Sequence, residues 1–292
     1  MPEARPARGP TITAIDCHAH VMRRDAPLAP DRHSVPKRDC TVEEYLDVLD
    51  ANGISQGVLT APSFYGADNS LLLDALDRAA GRLRGTVIVD PGIARASLAA
   101  MGARGAVGIR LNWFRRSALP DVSDTGYRQL FANVRDLGWH VEIYLEGPLL
   151  AKVLPAIRDS GATVVVDHFG SPDPARGVAC AGFQAVLDGV GTGDTFVKLS
   201  APYRQGGADP QRYVDALLDA GGAEQLVWAS DWPFVSHEDE ISYRDCVRWL
   251  AGWVPDDGTR RIILADTPAR LFRFDRLLPA AADKQKSEEA SP

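Results

Sequence analysis

Cysteine is scarce. The 292-residue chain has four, Cys17, Cys40, Cys180 and Cys246, and none are paired as Cys-x-x-Cys. This argues against a disulfide framework or a thiolate metal centre and leaves free structural thiols, as in a reducing cytosol. Long apolar runs are missing too. No stretch approaches the roughly 18 apolar residues of a membrane span, and the opening MPEARPARGP lacks the apolar core of a secretory signal. A soluble, cytoplasmic protein with no membrane partner is the expectation. Positive charge is in deficit, with 32 Lys and Arg against 39 Asp and Glu and a net charge of −7. Such a surface repels nucleic acid, although a local basic cleft can still bind a small anion. No Gly-x-Gly-x-x-Gly or Walker sequence follows any strand-like segment, so nucleotide binding has no support. Histidine is also rare, six in all, so its placement carries information.

What is present is an apolar alternation. The hydrophobic share of 45% supports one sizeable core. Residues 1–10 read as a flexible lead, 11–279 as one catalytic domain, and 280–292, charged and small, as a disordered tail. Residues 15–20 read as the first strand, and 21–40 as a long loop. The run TVEEYLDVLDANG from Thr41 reads as a helix, with a Thr41/Glu44 capping box and Gly53 at its end. Strands then follow at 57–60, 86–89, 106–112, 140–145, 163–168, 196–200 and 226–231. Helices alternate with them at 69–80, 95–101, 126–137, 149–160, around 182–187, 209–220 and 239–249, with further turns at 259–264 and 268–272. The strands are short, continuous and rich in Val and Ile, as in parallel sheets covered on both faces. Eight β-then-α units over about 250 residues predict an α/β fold, the (β/α)8 TIM barrel. A doubly wound sheet of eight strands is the alternative.

In such a barrel chemistry sits at the C-terminal strand ends. Strand one ends Asp16-Cys-His-Ala-His20. Strict alternation would present Asp16, His18 and His20 on one side. Two imidazoles so spaced can hold a divalent metal or an anionic oxygen. Later strand ends offer Ser63 and Tyr65, then Arg110 with Arg115 and Arg116, then Tyr144 and Glu146. They continue with Asp167 and His168, Lys198 and Ser200 with Arg204, and Asp231. Asp231 is the candidate base, a carboxylate near histidines that can deprotonate water attacking a carbonyl. Arg110, Arg116 and Arg204 beside imidazoles suggest a substrate with carboxylates, because guanidinium binds these bidentately. Arg115 reads as pointing to solvent. Asp16 and Asp167 read as pointing outward or orienting the histidines. His140 opens its strand at the opposite end and is expected exposed. For His33 and His237 a surface position is favoured.

Together these motifs resemble the amidohydrolase superfamily, in its branch of pyrone-dicarboxylate, muconolactone and sugar-lactone hydrolases. The motifs are Asp16-Cys-His-Ala-His20, Gly108-Ile-Arg-Leu-Asn112, Asp167-His-Phe-Gly170, Val197-Lys-Leu-Ser200 with Tyr203-Arg204, and Ala229-Ser-Asp-Trp-Pro233. Ala61-Pro-Ser-Phe-Tyr-Gly66 with Asp68-Asn69 joins them. The resemblance implies a distorted barrel with a reactive centre of His18, His20, His168 and Asp231. It implies substrate binding by Arg110, Arg116, Tyr144 and Arg204, with Ser63 nearby. Tyr144 stands where metal-rich members place a histidine, and Arg110 where binuclear members place a bridging Lys or Glu. No obligatory cofactor is therefore expected, or one divalent ion (zinc or manganese) on His18, His20, His168 and Asp231. The implied reaction is hydrolysis of a small carboxylated lactone by water that Asp231 activates. Alternatives are a metal-dependent decarboxylase of the same superfamily, a lactone isomerase, or a non-catalytic carboxylate-binding protein. The expected partner is the small carboxylated lactone, with a homo-oligomer as a further possibility.

Overall fold

The computed structural model describes residues 12–30, 32–116 and 118–274. The proposed lead and the proposed tail both lie wholly outside the described residues. Eight parallel strands form one sheet in sequence order: β1 (Ile15–Ala19), β2 (Gln56–Thr60), β3 (Leu83–Val87), β4 (Ala106–Asn112), β5 (His140–Tyr144), β6 (Thr163–Val166), β7 (Thr195–Leu199) and β8 (Leu226–Trp228). Helices alternate with them: α1 (Val42–Ala51), α2 (Ser70–Arg78), α3 (Arg95–Ala103), α4 (Thr125–Asp136), α5 (Gly147–Asp159), α6 (Ala181–Thr192), α7 (Gln211–Gly221) and α8 (Tyr243–Trp253). Two short helices, α9 (Asp257–Arg261) and α10 (Thr267–Leu271), flank a π-helical turn at Ile262–Asp266 that the sequence did not signal. The seam closes past the end of β8, where Asp231 N–H donates to the His18 carbonyl at 3.0 Å and His20 N–H to that of Trp232 at 2.9 Å. This is the (β/α)8 barrel, and the doubly wound alternative falls.

The residues that shape this barrel are local. Thr41 caps α1 by accepting the Glu44 N–H at 3.2 Å, while the Glu44 side chain pairs with Arg38 and leaves the box half made. Helix α8 begins later than expected, because Ser242 and Asp245 form a complete capping box at its start. The large apolar cluster lies between strands and helices. A smaller cluster of Ile15, Cys17, Val58, Val107, Val227, Ala229 and Phe272 fills the barrel floor. All four cysteines are free and buried.

Two irregularities decide which side chains reach the interior. In β1, Asp16 pairs with Gly57 but Ala19 with Leu59, so β1 holds one extra residue, a β-bulge. Cys17 therefore faces the floor and His18 the interior toward the C-terminal mouth, though they are neighbours. Asp16 does not share their side as alternation predicts; it turns to the helix layer and bonds Tyr243 of α8. In β4 a second shift follows Val107, with Gly85 opposite Ala106 and Thr86 opposite Gly108. It brings Gly108 and Arg110 inward. His140 fills the space above Gly108, where a Cβ would overlap its ring. Contrary to the expectation of exposure, His140 is buried, its Nε2 3.1 Å from Thr86 Oγ1 and its ring packed edge-on against Phe272. The opposite barrel end is plugged by side chains, so a strand-opening residue that points inward meets the core rather than solvent.

Candidate active site

At the C-terminal mouth, β1 ends in His18 and His20, both buried. Beyond β6 the chain leaves strand geometry: His168 and Phe169 have φ of 50° and 58°. Asp231 follows β8 with φ of 66°. Left-handed backbone at non-glycine residues costs of order 1–3 kcal/mol each and persists where the surroundings fix it. Here the His18–Asp231 backbone bond supplies part of that fixing, and the Gln205 side-chain amide donates to the His168 carbonyl at 3.0 Å.

These turns converge on one carboxylate. Asp231 Oδ2 accepts from the Tyr203 hydroxyl at 2.7 Å and from Arg204 Nε at 2.8 Å. Its Oδ1 stands 3.6 Å from His18 Nε2, 3.9 Å from His20 Nε2 and 3.7 Å from His168 Nε2. Burial would push the Asp231 carboxyl up. Arg204 and the imidazoles, His168 first, outweigh it and hold the group well below the usual carboxylate range. Burial lowers His20 well below its ordinary value and lowers His168 to about 3, so both rings are neutral at pH 7. Burial likewise raises the Tyr144 phenol to about 12 and keeps it a donor.

Each ring is held at its other nitrogen. His20 Nδ1 lies 2.7 Å from the Thr60 carbonyl, and His168 Nδ1 lies 2.8 Å from Ser200 Oγ. His18 Nδ1 meets a buried ionic cluster of Arg110, Glu142, Asp167 and Lys198. Arg110 contacts Asp167 at 2.8 Å and Glu142 at 3.2 Å, and Lys198 contacts Glu142 at 2.6 Å and Asp167 at 3.1 Å. Asp167 thus points inward. Two cations and two carboxylates balance one another, as buried charges must.

The cavity above has a volume of about 150 Å³. That is far below the roughly 300–1,000 Å³ of drug-sized sites, so it suits a small metabolite. Its lining includes His20, Ser63, Arg110, Tyr144, His168, Arg204 and Asp231, seven of the sequence-derived candidates. His18 lies just beneath, against His20 and Asp231. Arg115 and Arg116 are both exposed, as expected for Arg115, but only Arg115 is among the lining residues. Arg115 lies over the Phe114 ring, and Phe114 stacks on Tyr144 at 4.6 Å. His33 and His237 also line the mouth, His33 with Nδ1 3.3 Å from Ser63 Oγ.

Glu142 was absent from the sequence-derived candidates, and Lys198 and Tyr203 were named there without a role. Their signal was parity: Glu142 shares the face of Tyr144, and Lys198 that of Ser200, inside otherwise apolar strands. Among the described residues, two groups have metal-ligand proximity, His18, His20 and Asp231, and His18, Asp167 and His168, with donor atoms within 4.8 Å of one another. No helix among the described residues is long and apolar enough to cross a membrane.

The comparisons agree with this geometry. A family model described as amidohydrolase matches residues 15–274. The chain is 27% identical over 268 residues to a 4-sulfomuconolactone hydrolase of Hydrogenophaga intermedia, covering 88% of each. It is 27% identical over 275 residues to a 2-pyrone-4,6-dicarboxylate hydrolase of Comamonas testosteroni, covering 89% of this chain and 90% of that one. Among solved structures, a probable 2-pyrone-4,6-dicarboxylic acid hydrolase from Acinetobacter baumannii, with citric acid bound, superposes with a TM-score of 0.82 at 31% identity. That match covers 89% of this chain and 99% of the other. By this match and by its site, the chain belongs to the amidohydrolase family.

Proposed function

We propose that the protein hydrolyses a small carboxylated lactone, with Asp231 as general base. One observation carries the reading: a buried carboxylate has one oxygen held by Tyr203 and Arg204 and the other turned to three imidazoles at the cavity. Relatives named for lactone hydrolysis support the reaction class, and the citric acid in a related structure supports carboxylate recognition. Pyrone-dicarboxylates, muconolactones and sugar-acid lactones are the compounds to screen.

Arg204 and Arg110 line the cavity while paired to Asp231 and Asp167, so their donors are pre-oriented. Among the described lining residues, Arg115 has no carboxylate within ion-pair distance and is free to take a substrate carboxylate; it, rather than Arg116, fills that role. The lactone carbonyl is directed to the imidazole edges, where an Nε2–H of His18 or His168 stabilises negative charge developing on its oxygen, while His20, its proton held by Thr60, presents a lone pair. Water adds to the carbonyl carbon and Asp231 Oδ1 takes its proton. The ring C–O bond then breaks, and that proton passes to the departing alkoxide or enolate. One water is added, and no other reactant is consumed. A substrate carboxylate on Arg204 would offset the guanidinium charge that depresses Asp231 and make it a stronger base.

The donors also fit one divalent ion. His20 Nδ1 must donate to the Thr60 carbonyl, which leaves a lone pair on Nε2, as a metal ligand needs. His18, His20, His168 and Asp231 would hold it, and it would supply Lewis-acid polarisation of the carbonyl.

The test is Asp231→Asn on a lactone panel. Turnover of the wild-type substrate should fall at least about 10³-fold. Turnover retained near wild type would remove Asp231 as base. Product mass separates the alternatives: hydrolysis adds the mass of water, isomerisation adds nothing, and decarboxylation loses carbon dioxide.

A further inference from the structure

Lys198 lies fully buried beneath the reactive histidines, and the hydrolysis above gives it no task. Its Nζ stands 2.6 Å from Glu142 Oε2, 3.1 Å from Asp167 Oδ1 and 2.9 Å from His18 Nδ1. An ammonium group has three N–H donors and no acceptor. The two carboxylates meet it as ion pairs, and its hydrogen bond goes to His18 Nδ1, which must then offer a lone pair. An imidazole N–H there would set two donors against each other in a buried site, where each needs an acceptor.

The other edge of the ring leads to the same assignment. With its proton committed to Thr60, His20 carries a lone pair at Nε2. That atom is 3.3 Å from His18 Nε2. A proton on His18 Nε2 joins the two rings by a hydrogen bond; without it, two lone pairs would face each other.

We propose that Lys198 is a positioning residue that fixes His18 as the Nε2–H tautomer, so that His18 presents a proton rather than a lone pair to the reaction centre. That proton faces His20 and Asp231 Oδ1, where the lactone oxygen gains charge. A divalent ion needs the opposite tautomer, because it binds the lone pair at Nε2. Asp167 Oδ1, 3.2 Å from His18 Nδ1, is placed to accept the ring proton in that state, as the outer carboxylate of a metal-bound histidine does. Lys198 and Asp167 therefore compete for one ring nitrogen. Lys198 supports the hydrogen-bonding form of the histidine cage and Asp167 the metal-holding form. The inference deepens the lactonase reading and rests on it only for what the proton does.

The test reads the ring itself. Long-range proton–nitrogen correlation spectra of metal-free, 15N-histidine-labelled protein, recorded without substrate, separate the two tautomers. The His18 signals are identified by their loss in His18→Gln. The expected result is Nε2–H in the wild type; an Nδ1–H ring or an imidazolium overturns the proposal. A second measurement is zinc binding by calorimetry to wild type and to the Lys198→Met, Glu142→Gln double variant. The pair removes one cation and one anion, so the buried charge stays balanced. The variant should bind zinc at least about tenfold more tightly than wild type. Equal or weaker binding by a folded variant overturns the proposal, and if the variant does not fold the wild-type spectrum decides alone. Neither readout uses turnover. A failed lactone screen leaves this inference intact, and a wrong tautomer leaves the lactonase reading intact.

Discussion

The carboxylate of Asp16 accepts both the backbone N–H and the hydroxyl of Ser230, at 2.8 and 2.5 Å, across the seam where the last strand meets the first. It also accepts the Tyr243 hydroxyl at 3.0 Å and the His18 N–H at 3.3 Å. One buried side chain thus ties Ser230, the residue before Asp231, to His18. Replacing Asp16 with Ala strands several buried donors, each costing about 1–3 kcal/mol. Asp16→Ala should lose about 3 kcal/mol or more by urea unfolding. Its kcat should fall about 100-fold, the scale expected for a small misplacement of reacting groups. A variant with wild-type kcat would show that the clasp holds the fold without setting the site.

Gly108 and His140 make a paired steric prediction. A methyl group at 108 would overlap the buried His140 ring. Gly108→Ala should cost about 2 kcal/mol, the scale of core overpacking. In a His140→Ala background the same change should cost much less, because the ring it strikes is gone. Equal costs in the two backgrounds, measured by urea unfolding, would sink the idea.

The barrel was legible because each strand-and-helix unit carries its own periodicity. The gathering of His18, His20, His168 and Asp231 was legible because they stand where short polar motifs interrupt apolar strands. The extra residues in β1 and β4, which put Cys17 and His18 on one side and turn Asp167's neighbour Arg110 inward beside Gly108, were not. A bulge adds one residue to a ladder and leaves no local mark, yet it reverses every later side chain. The burial of His140 depends on Gly108 of a neighbouring strand, a relation made only by folding. Arg115 and Arg116 are adjacent, and only the course of the loop decides which one meets the cavity. The late start of α8, in contrast, was readable from the Ser242-x-x-Asp245 capping pattern.

That loop yields a direct comparison. Arg115 lines the cavity and Arg116 does not. Arg115→Ala should raise KM about tenfold, the loss expected for one charge-assisted hydrogen bond at an exposed rim. Arg116→Ala should leave KM within about twofold. A larger effect at Arg116, in steady-state kinetics on the same lactone, would return the carboxylate-binding role to that residue.

Acid should destabilise the protein well before its surface carboxylates are fully protonated. Burial is the leading cause that holds His20, His140 and His168 below the ordinary 6.5, His168 at about 3. The same rings take up protons near 6.5 once the chain unfolds. Between those values the unfolded state binds more protons, so stability falls as pH falls. The buried carboxylates add to this. Burial pushes Asp167 up, but Lys198 outweighs it and holds the group well below 3.8. Burial and Asp167 push Glu142 up, yet Lys198 and His140 hold it at about 2. Their stabilisation is complete above the unfolded values near 4 and drains away below them. Asp16 acts oppositely, since burial raises its carboxyl and acid therefore favours its folded form. With six groups, Asp231 among them, against one, Tm should fall from about pH 7 to pH 5 and more steeply below about pH 4.5. Scanning calorimetry across that range is the check, and a Tm that stays level to about pH 4 would show that these rings and carboxylates take up protons equally in the folded and unfolded chain.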